Sequence, residues 1–243
     1  MKYAPYSFSK INVFFECPKK FDFTYINKIK KDEFHEDPPY FVRGRFIHNY
    51  IANRLSGGDG LLNSKYGSVD AEDKMNLVEA ADNALEHPYI TMSYEFEITE
   101  IEKQIWLGPN LKSSGKLGAA MKGYIDYYAV QDDFGMIIDW KTGRYRENPS
   151  YSQLEMYAIW LMSKYKEVDE VDLMFYYIEH DNFSVKTVTR EEIDDLKYNL
   201  VERISIIEEE TEFAPNPETK KCNACEFFGT CLEKYEILGL DNF

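Results

Sequence analysis

The hydrophobic period of this chain changes near residue 94, and that change limits what the chain can fold into more than any other feature. Before it, apolar residues recur at helical spacing. Ser9–Tyr25 reads as a helix, with Ser7 or Ser9 available as N-cap and Pro18 as a break. Phe41–Leu55 carries Ile47, Ile51 and Leu55 on one face, and residues 71–86 form another helix. Residues 28–40 and Gly57-Gly58-Asp59-Gly60 read as loops. Then Tyr94, Phe96 and Ile98 alternate with Glu95, Glu97 and Thr99, the period of a strand. Lys122–Val130 and Gly135–Trp140 follow as strands joined by Gln131-Asp132-Asp133, and residues 107–119 read as a flexible hairpin loop. Pro149–Tyr165 returns to helical spacing, Val171–Ile178 and Phe183–Val188 make a second hairpin, and Thr189 caps a helix to about Thr211. Helices, three strands, a helix, two strands and a helix imply an α/β or α+β core: a mixed central sheet flanked by helices.

The chain is long enough, at 243 residues, for one large domain with additions at its ends, and its 44% hydrophobic content argues against disorder. It has no apolar run long enough for a membrane helix, and Met1–Lys10 lacks a signal-type apolar stretch. The expectation is a soluble, cytoplasmic protein whose four cysteines favour metal ligation over disulfides. The net charge of −15 opposes a general affinity for nucleic acid. Residues 1–54 nevertheless hold ten basic and six acidic residues, so a phosphate-gripping surface is expected there, around Lys19 and Lys20.

Within Met136-Ile137-Ile138-Asp139-Trp140-Lys141 a buried apolar strand ends in Asp-x-Lys. Residues two apart on a strand share a face, so Asp139 can bind a hard cation while Lys141 stabilises charge on an attacking water or a phosphate. Asp126 lies on the preceding strand, and the two aspartates can converge; without a cation between them they would repel. His48, in Gly44-Arg45-Phe46-Ile47-His48, reads either as a hydrogen-bonded core histidine or as a ligand. Gln153 and Tyr157 are one helical turn apart, a spacing that serves ordinary packing equally well.

In this chain order, His48, Asp126, Asp139-Trp140-Lys141 and Gln153-x-x-x-Tyr157 resemble the motifs of the RecB-like PD-(D/E)XK nucleases. Ser7-Phe8-Ser9 and Cys17-Pro18-Lys19-Lys20-Phe21 resemble that family's N-terminal signature. The resemblance implies a restriction-endonuclease-like fold. It implies that His48, Asp126, Asp139 and the Trp140 carbonyl coordinate Mg²⁺ or Mn²⁺, that Lys141 assists the nucleophilic water, and that Gln153 and Tyr157 position the lysine or the DNA backbone. In many relatives the acid before x-Lys is glutamate; aspartate shortens the reach by one methylene.

Cys222-x2-Cys225-x5-Cys231 has metal-ligand spacing, and Cys17, far upstream, is the one cysteine left to complete a four-thiolate site. Zinc and an iron–sulfur cluster share this donor set, and spacing does not separate them. The arrangement resembles the iron–sulfur staple of AddB-type and CRISPR-associated RecB-like nucleases, which implies a 4Fe-4S cluster. The expected organisation is a single domain, 1–243, with residues 41–211 as nuclease core and 1–30 with 212–243 as a metal-stapled subdomain. Gly115-Lys116 is no phosphate-binding loop, because Leu117 stands where Ser or Thr is required. The function expected is a metal-dependent exonuclease on single-stranded DNA or DNA ends, in recombination, repair, phage DNA processing or CRISPR adaptation beside a partner recombination or integration protein. The alternative is a DNA-binding or assembly module that keeps the fold without cleaving.

Overall fold

A computed structural model describes residues 1–31, 39–59 and 69–231. In chain order these form helices α1 (Phe8–Glu16) and α2 (Pro18–Phe21), a π-helical turn (Asp22–Ile26), then α3 (Pro39–Leu55), α4 (Ala71–Glu86) and α5 (Pro88–Thr91). The strands β1 (Ile98–Leu107), β2 (Met121–Gln131) and β3 (Phe134–Lys141) come next. Helix α6 (Ser152–Lys164), strands β4 (Glu170–Tyr177) and β5 (Asn182–Thr189), and helices α7 (Ile193–Glu209) and α8 (Thr219–Asn223) complete the order. The strands form one sheet in the order β1-β2-β3-β4-β5. Only β3 and β4 run parallel among its neighbouring pairs. A parallel pair cannot be closed by a tight turn, and α6 is the crossover that joins it.

The chain divides into two compact units, Asp37–Tyr198 and Met1–Glu36 with Asn199–Phe243. The first holds the sheet. Ile47, Tyr50 and Ile51 of α3 and Leu77, Ala81 and Ala84 of α4 pack with Tyr127, Ala129, Met136, Ile138, Trp140, Met174 and Tyr176. Alternation along β3 therefore turns Asp139 and Lys141 to the opposite face, where α6 packs: a Cβ on Gly135 would stand 3.1 Å from Leu161, and Tyr128 meets Trp160 edge-on at 5.5 Å. In the second unit Tyr6, Ile11, Phe14 and Phe21 are buried, and Phe21 stacks on Phe213 at 5.9 Å. Glu208 accepts from the backbone amide of Lys2 and from the Tyr6 hydroxyl, tying the N-terminal residues to α7.

Local signals place most boundaries. Ser7 caps α1 by accepting from Lys10 N, and Thr189 with Glu192 forms a capping box ahead of α7. Pro18 ends α1, leaving Cys17 in an extended conformation. One strand start differs from the alternation: Met92–Glu95 is a 3₁₀ turn and β1 begins at Ile98. The Ser93 hydroxyl donates to Ile90 O and pairs with the Tyr127 hydroxyl, and Tyr94 OH reaches Leu85 O, so side chains hold a turn where the pattern suggests a strand. The hairpin loop is also firmer than its composition suggests. Gly108 N donates to Lys112 O, Ser114 N to Trp106 O, and Ser113 N to Ser163 Oγ of α6. Residues 32–38 of the loop at 28–40, Gly60, and 232–243 of the C-terminal subdomain lie outside the described residues.

Candidate active site and cysteine cluster

β2, β3 and α3 meet at Asp126, Trp140 and His48. The β2–β3 ladder runs down to the pair Tyr127–Ile138. One residue beyond, the Asp126 carboxylate accepts from the Trp140 amide at 3.0 Å. His48, from α3, has Nε2 2.9 Å from the Trp140 carbonyl and Nδ1 3.3 Å from Asp126 Oδ2. Burial alone would lower the imidazole pKa, but the facing Asp126 carboxylate outweighs it and lifts the ring to about 9. The raised pKa favours the imidazolium, whose Nε2 donates to the Trp140 carbonyl while Nδ1 faces the Asp126 carboxylate as an ion pair. His48 belongs to this polar group and not to the apolar core on the same helix.

Asp139 is buried, and burial pushes its carboxyl up to about 6, with Asp126 adding to the rise and Lys141 opposing it. Its Oδ2 lies 2.5 Å from Lys141 Nζ, an ion pair without a directed hydrogen bond, so that buried oxygen keeps acceptor capacity in reserve. Its Oδ1 accepts from Gln153 Nε2 at 3.1 Å, and the same amide lies 3.1 Å from Tyr157 OH. Gln153 thus holds the aspartate in place, where the resemblance implied the lysine or the DNA. Lys141 Nζ sits over the Phe175 ring at 4.9 Å. Close docking of α6 depends on Gly123: a Cβ there would stand 2.5 Å from Tyr157 Cε1 and 3.2 Å from Met156 Cε.

Glu102 is the residue that sequence reasoning missed. Its ligand oxygen lies with those of His48 and Asp126, all within 4.8 Å of one another. It stands in the middle of β1 with φ at +49°, a left-handed conformation that costs a non-glycine residue on the order of 1–3 kcal/mol. The strain accompanies a reversal of facing. Ile101 packs with the α3/α4 core, yet Ile105 lies beside Gly123 on the α6 side; Tyr127 and Gly123 divide in the same way. Residues four apart on a regular strand share a face. Both strands therefore turn over at the Glu102–Asp126 level, which brings Glu102 to the site. Although Glu102 is exposed at the surface, partial loss of water around its carboxylate, then the Asp126 charge, raise its pKa to about 7. The one signal in the sequence was an acid on the strand facing Asp126, among several other acids.

This donor set fits a hard divalent cation. Three carboxylates and a carbonyl supply oxygen, and His48 supplies a nitrogen once it releases its proton. The raised Glu102 and Asp139 carboxyls, and an Asp139 oxygen that takes no directed hydrogen bond, leave room for a cation to replace protons at the site. Together with Tyr40, Phe41, Arg43, Gly44 and Thr142, the residues His48, Glu102, Trp140 and Lys141 line an open cleft of about 650 Å³.

All four cysteines line a second, smaller cavity of about 40 Å³ in the unit formed by the two chain ends. Backbone amides of Asn216 and Glu218 approach Cys17 Sγ at 3.5 Å and Cys222 Sγ at 3.4 Å. Burial raises the Cys225 thiol pKa. The nearby lysines are already paired: Lys19 with Asp22, Lys20 with Glu226 and Glu16, Lys221 with Glu218. Their charge is largely spent within the unit, which weakens the expectation of a phosphate grip at Lys19 and Lys20. By contrast, Arg144 and Arg146, in the exposed loop after Lys141, form no ion pair among the described residues.

The family model described as the PD-(D/E)XK nuclease superfamily matches residues 5–232. No curated protein matches the chain. Among solved structures, that of a "putative exonuclease" from Eubacterium rectale is similar, with a TM-score of 0.55 at 14% identity over 92% of this chain and 86% of that one. At that identity the likeness speaks for the fold alone. The crystal structure of SSO0001 aligns over 78% of this chain and 95% of its own, at 15% identity and a TM-score of 0.34, too low to carry an argument.

Proposed function

Because the chain belongs to the PD-(D/E)XK nuclease superfamily, we propose that it is a Mg²⁺- or Mn²⁺-dependent deoxyribonuclease that removes nucleotides from single-stranded DNA or DNA ends. Membership makes it a phosphodiester-hydrolysing nuclease with a nucleic acid substrate. The observation that carries the finer reading is the convergence of His48, Glu102 and Asp126 within 4.8 Å, beside an Asp139–Lys141 pair on one strand face.

His48, Glu102, Asp126, Asp139 and the Trp140 carbonyl would hold the cation. When bound, it supplies Lewis-acid chemistry, drawing charge from the phosphodiester and favouring ionisation of water near neutral pH. Lys141, held by Asp139 and over the Phe175 ring, orients the attacking water and stabilises negative charge gathering on the phosphate. Gln153 fixes the Asp139 carboxylate, and Tyr157 fixes Gln153. His48 gives up its second proton when the cation binds and then offers a neutral nitrogen.

We further propose that the four thiols hold a 4Fe-4S cluster. The gathering of all four cysteines around one small cavity and the resemblance to iron–sulfur nucleases support this reading, and the backbone amides that approach Cys17 and Cys222 suit thiolates bound to metal. The proposed division is then a stapled subdomain of residues 1–30 and 212–243 and a nuclease core of 41–211. DNA recombination, repair, phage DNA processing and CRISPR adaptation, with a partner protein in the last, are the settings this chemistry suits.

The test is cleavage of end-labelled single- and double-stranded DNA by anaerobically purified protein, with Mn²⁺ or Mg²⁺ and then with a chelator. Cleavage should require the cation. Asp139→Ala should abolish it, and Lys141→Ala should slow it on the order of a hundredfold, about 3 kcal/mol, while metal affinity persists. Wild-type activity in both variants would remove the catalytic assignment in favour of a DNA-binding or assembly module.

A further inference from the structure

We propose that Tyr40 and Phe41 form a base-stacking platform that selects an unpaired strand and feeds it to the candidate metal site. This deepens the nuclease reading and rests on it. Both rings are more than half exposed, at 64% and 53%, and so have faces open to solvent. They lie against each other, with centroids 4.7 Å apart and planes tilted by 33°.

Their place in the fold points to what covers them. They line the same open cleft as His48, Glu102 and Lys141. Its volume of about 650 Å³ falls within the ~300–1,000 Å³ of sites that take small molecules, so a nucleotide can enter. Phe41, Gly44 and His48 recur at i, i+3 and i+7 on α3 and share one helix face. That face reads aromatic ring, bare backbone, metal-ligating imidazole. A Cβ on Gly44 would already touch Thr142 Oγ1 at 3.7 Å, so any longer side chain would begin to fill the passage between ring and site.

The rise of α3 sets the distance. Tyr40 and His48 are eight residues apart, roughly 12 Å along the axis. A base in a duplex has both faces covered by its neighbours. Only an unpaired base can offer a face to these rings, while its backbone runs toward Lys141 and the acidic site. Stacking on an aromatic ring does not read base identity, because every base has a π-face. The platform therefore selects single strands or frayed ends without sequence preference.

The experiment uses the full-length protein in chelator, with a fluorescent oligothymidylate and an abasic oligomer of equal length. Wild type should bind the oligothymidylate roughly 5- to 150-fold more tightly, the span expected for stacking one base. Tyr40→Ala/Phe41→Ala should erase that difference and leave affinity for the abasic strand unchanged; Tyr40→Trp/Phe41→Trp should keep it. Both positions are exposed, and circular dichroism checks that each variant is folded. Retention of the full difference by the alanine variant, beside cation-dependent cleavage by wild type, overturns the platform and leaves the nuclease reading standing. A wild-type protein that neither binds nor cleaves either strand overturns both.

Discussion

His48, Glu102 and Asp139 share one electrostatic problem, and it has a direction in pH. Each holds its proton more tightly in the folded protein than in an unfolded chain, at about 9, 7 and 6 against usual values of 6.5, 4.5 and 3.8. A group whose folded pKa is raised contributes stability that is fully present below the unfolded pKa and lost as pH rises through the folded one. All three therefore act in the same sense, and the metal-free site loses stability progressively between about pH 4 and pH 9. A divalent cation competes with those protons, so its binding releases them and its stabilisation grows with pH. Thermal melts in chelator and in Mg²⁺ at pH 5 and pH 9 should show a larger metal-induced rise at pH 9. Equal rises at both would mean that the cation does not bind at these three groups.

The β1–β2 hairpin and α6 work as a pair. Both strands turn over at the Glu102–Asp126 level, and α6 lies close enough over Gly123 for Gln153 to reach Asp139. Gly123→Ala should be destabilising, because a methyl group 2.5 Å from Tyr157 Cε1 forces the helix or the buried ring to move. Overpacking of this kind costs about 1–3 kcal/mol. Gly115→Ala, in open space within the hairpin loop, should be close to neutral. Urea titrations of the two variants measure the contrast; similar midpoints would mean that α6 is free to shift without cost. A displaced α6 should also loosen Gln153 from Asp139, so the glycine supports the site through a helix without touching it.

Across the whole molecule, the titratable side chains are divided between two units. The unit of the chain ends carries the four cysteines and pairs Lys19, Lys20, Lys31 and Lys221 with its own acids; the sheet unit carries the acidic site and the exposed Arg144 and Arg146. The net charge of −15 is an average over the whole chain. No helix among the described residues is long and apolar enough to cross a membrane. Protein purified anaerobically should be brown and contain iron. Cys222→Ala should lose both the iron and much of the thermal stability, because a site that ties residues far apart in sequence couples its metal to folding. Stoichiometric zinc without iron in elemental analysis would end the cluster proposal.

The order of the elements was legible in the residues. Helix and strand periods are properties of the backbone, and caps such as Ser7 and Thr189 act within three residues of themselves. Asp139 and Lys141 were legible as a pair for the same reason, since two residues apart on a strand means one face. Three things waited for the tertiary structure. His48 could have been a core residue until α3 set its ring against Asp126 and the Trp140 carbonyl. Glu102 was one acid among many until a left-handed residue broke the period of β1 and turned it to the site. Lys19 and Lys20 looked like a grip for phosphate until Asp22 and Glu226 appeared beside them. In each case the deciding neighbour comes from packing or from a local departure from regular geometry, whereas a periodic pattern records only which face of its own element a residue occupies.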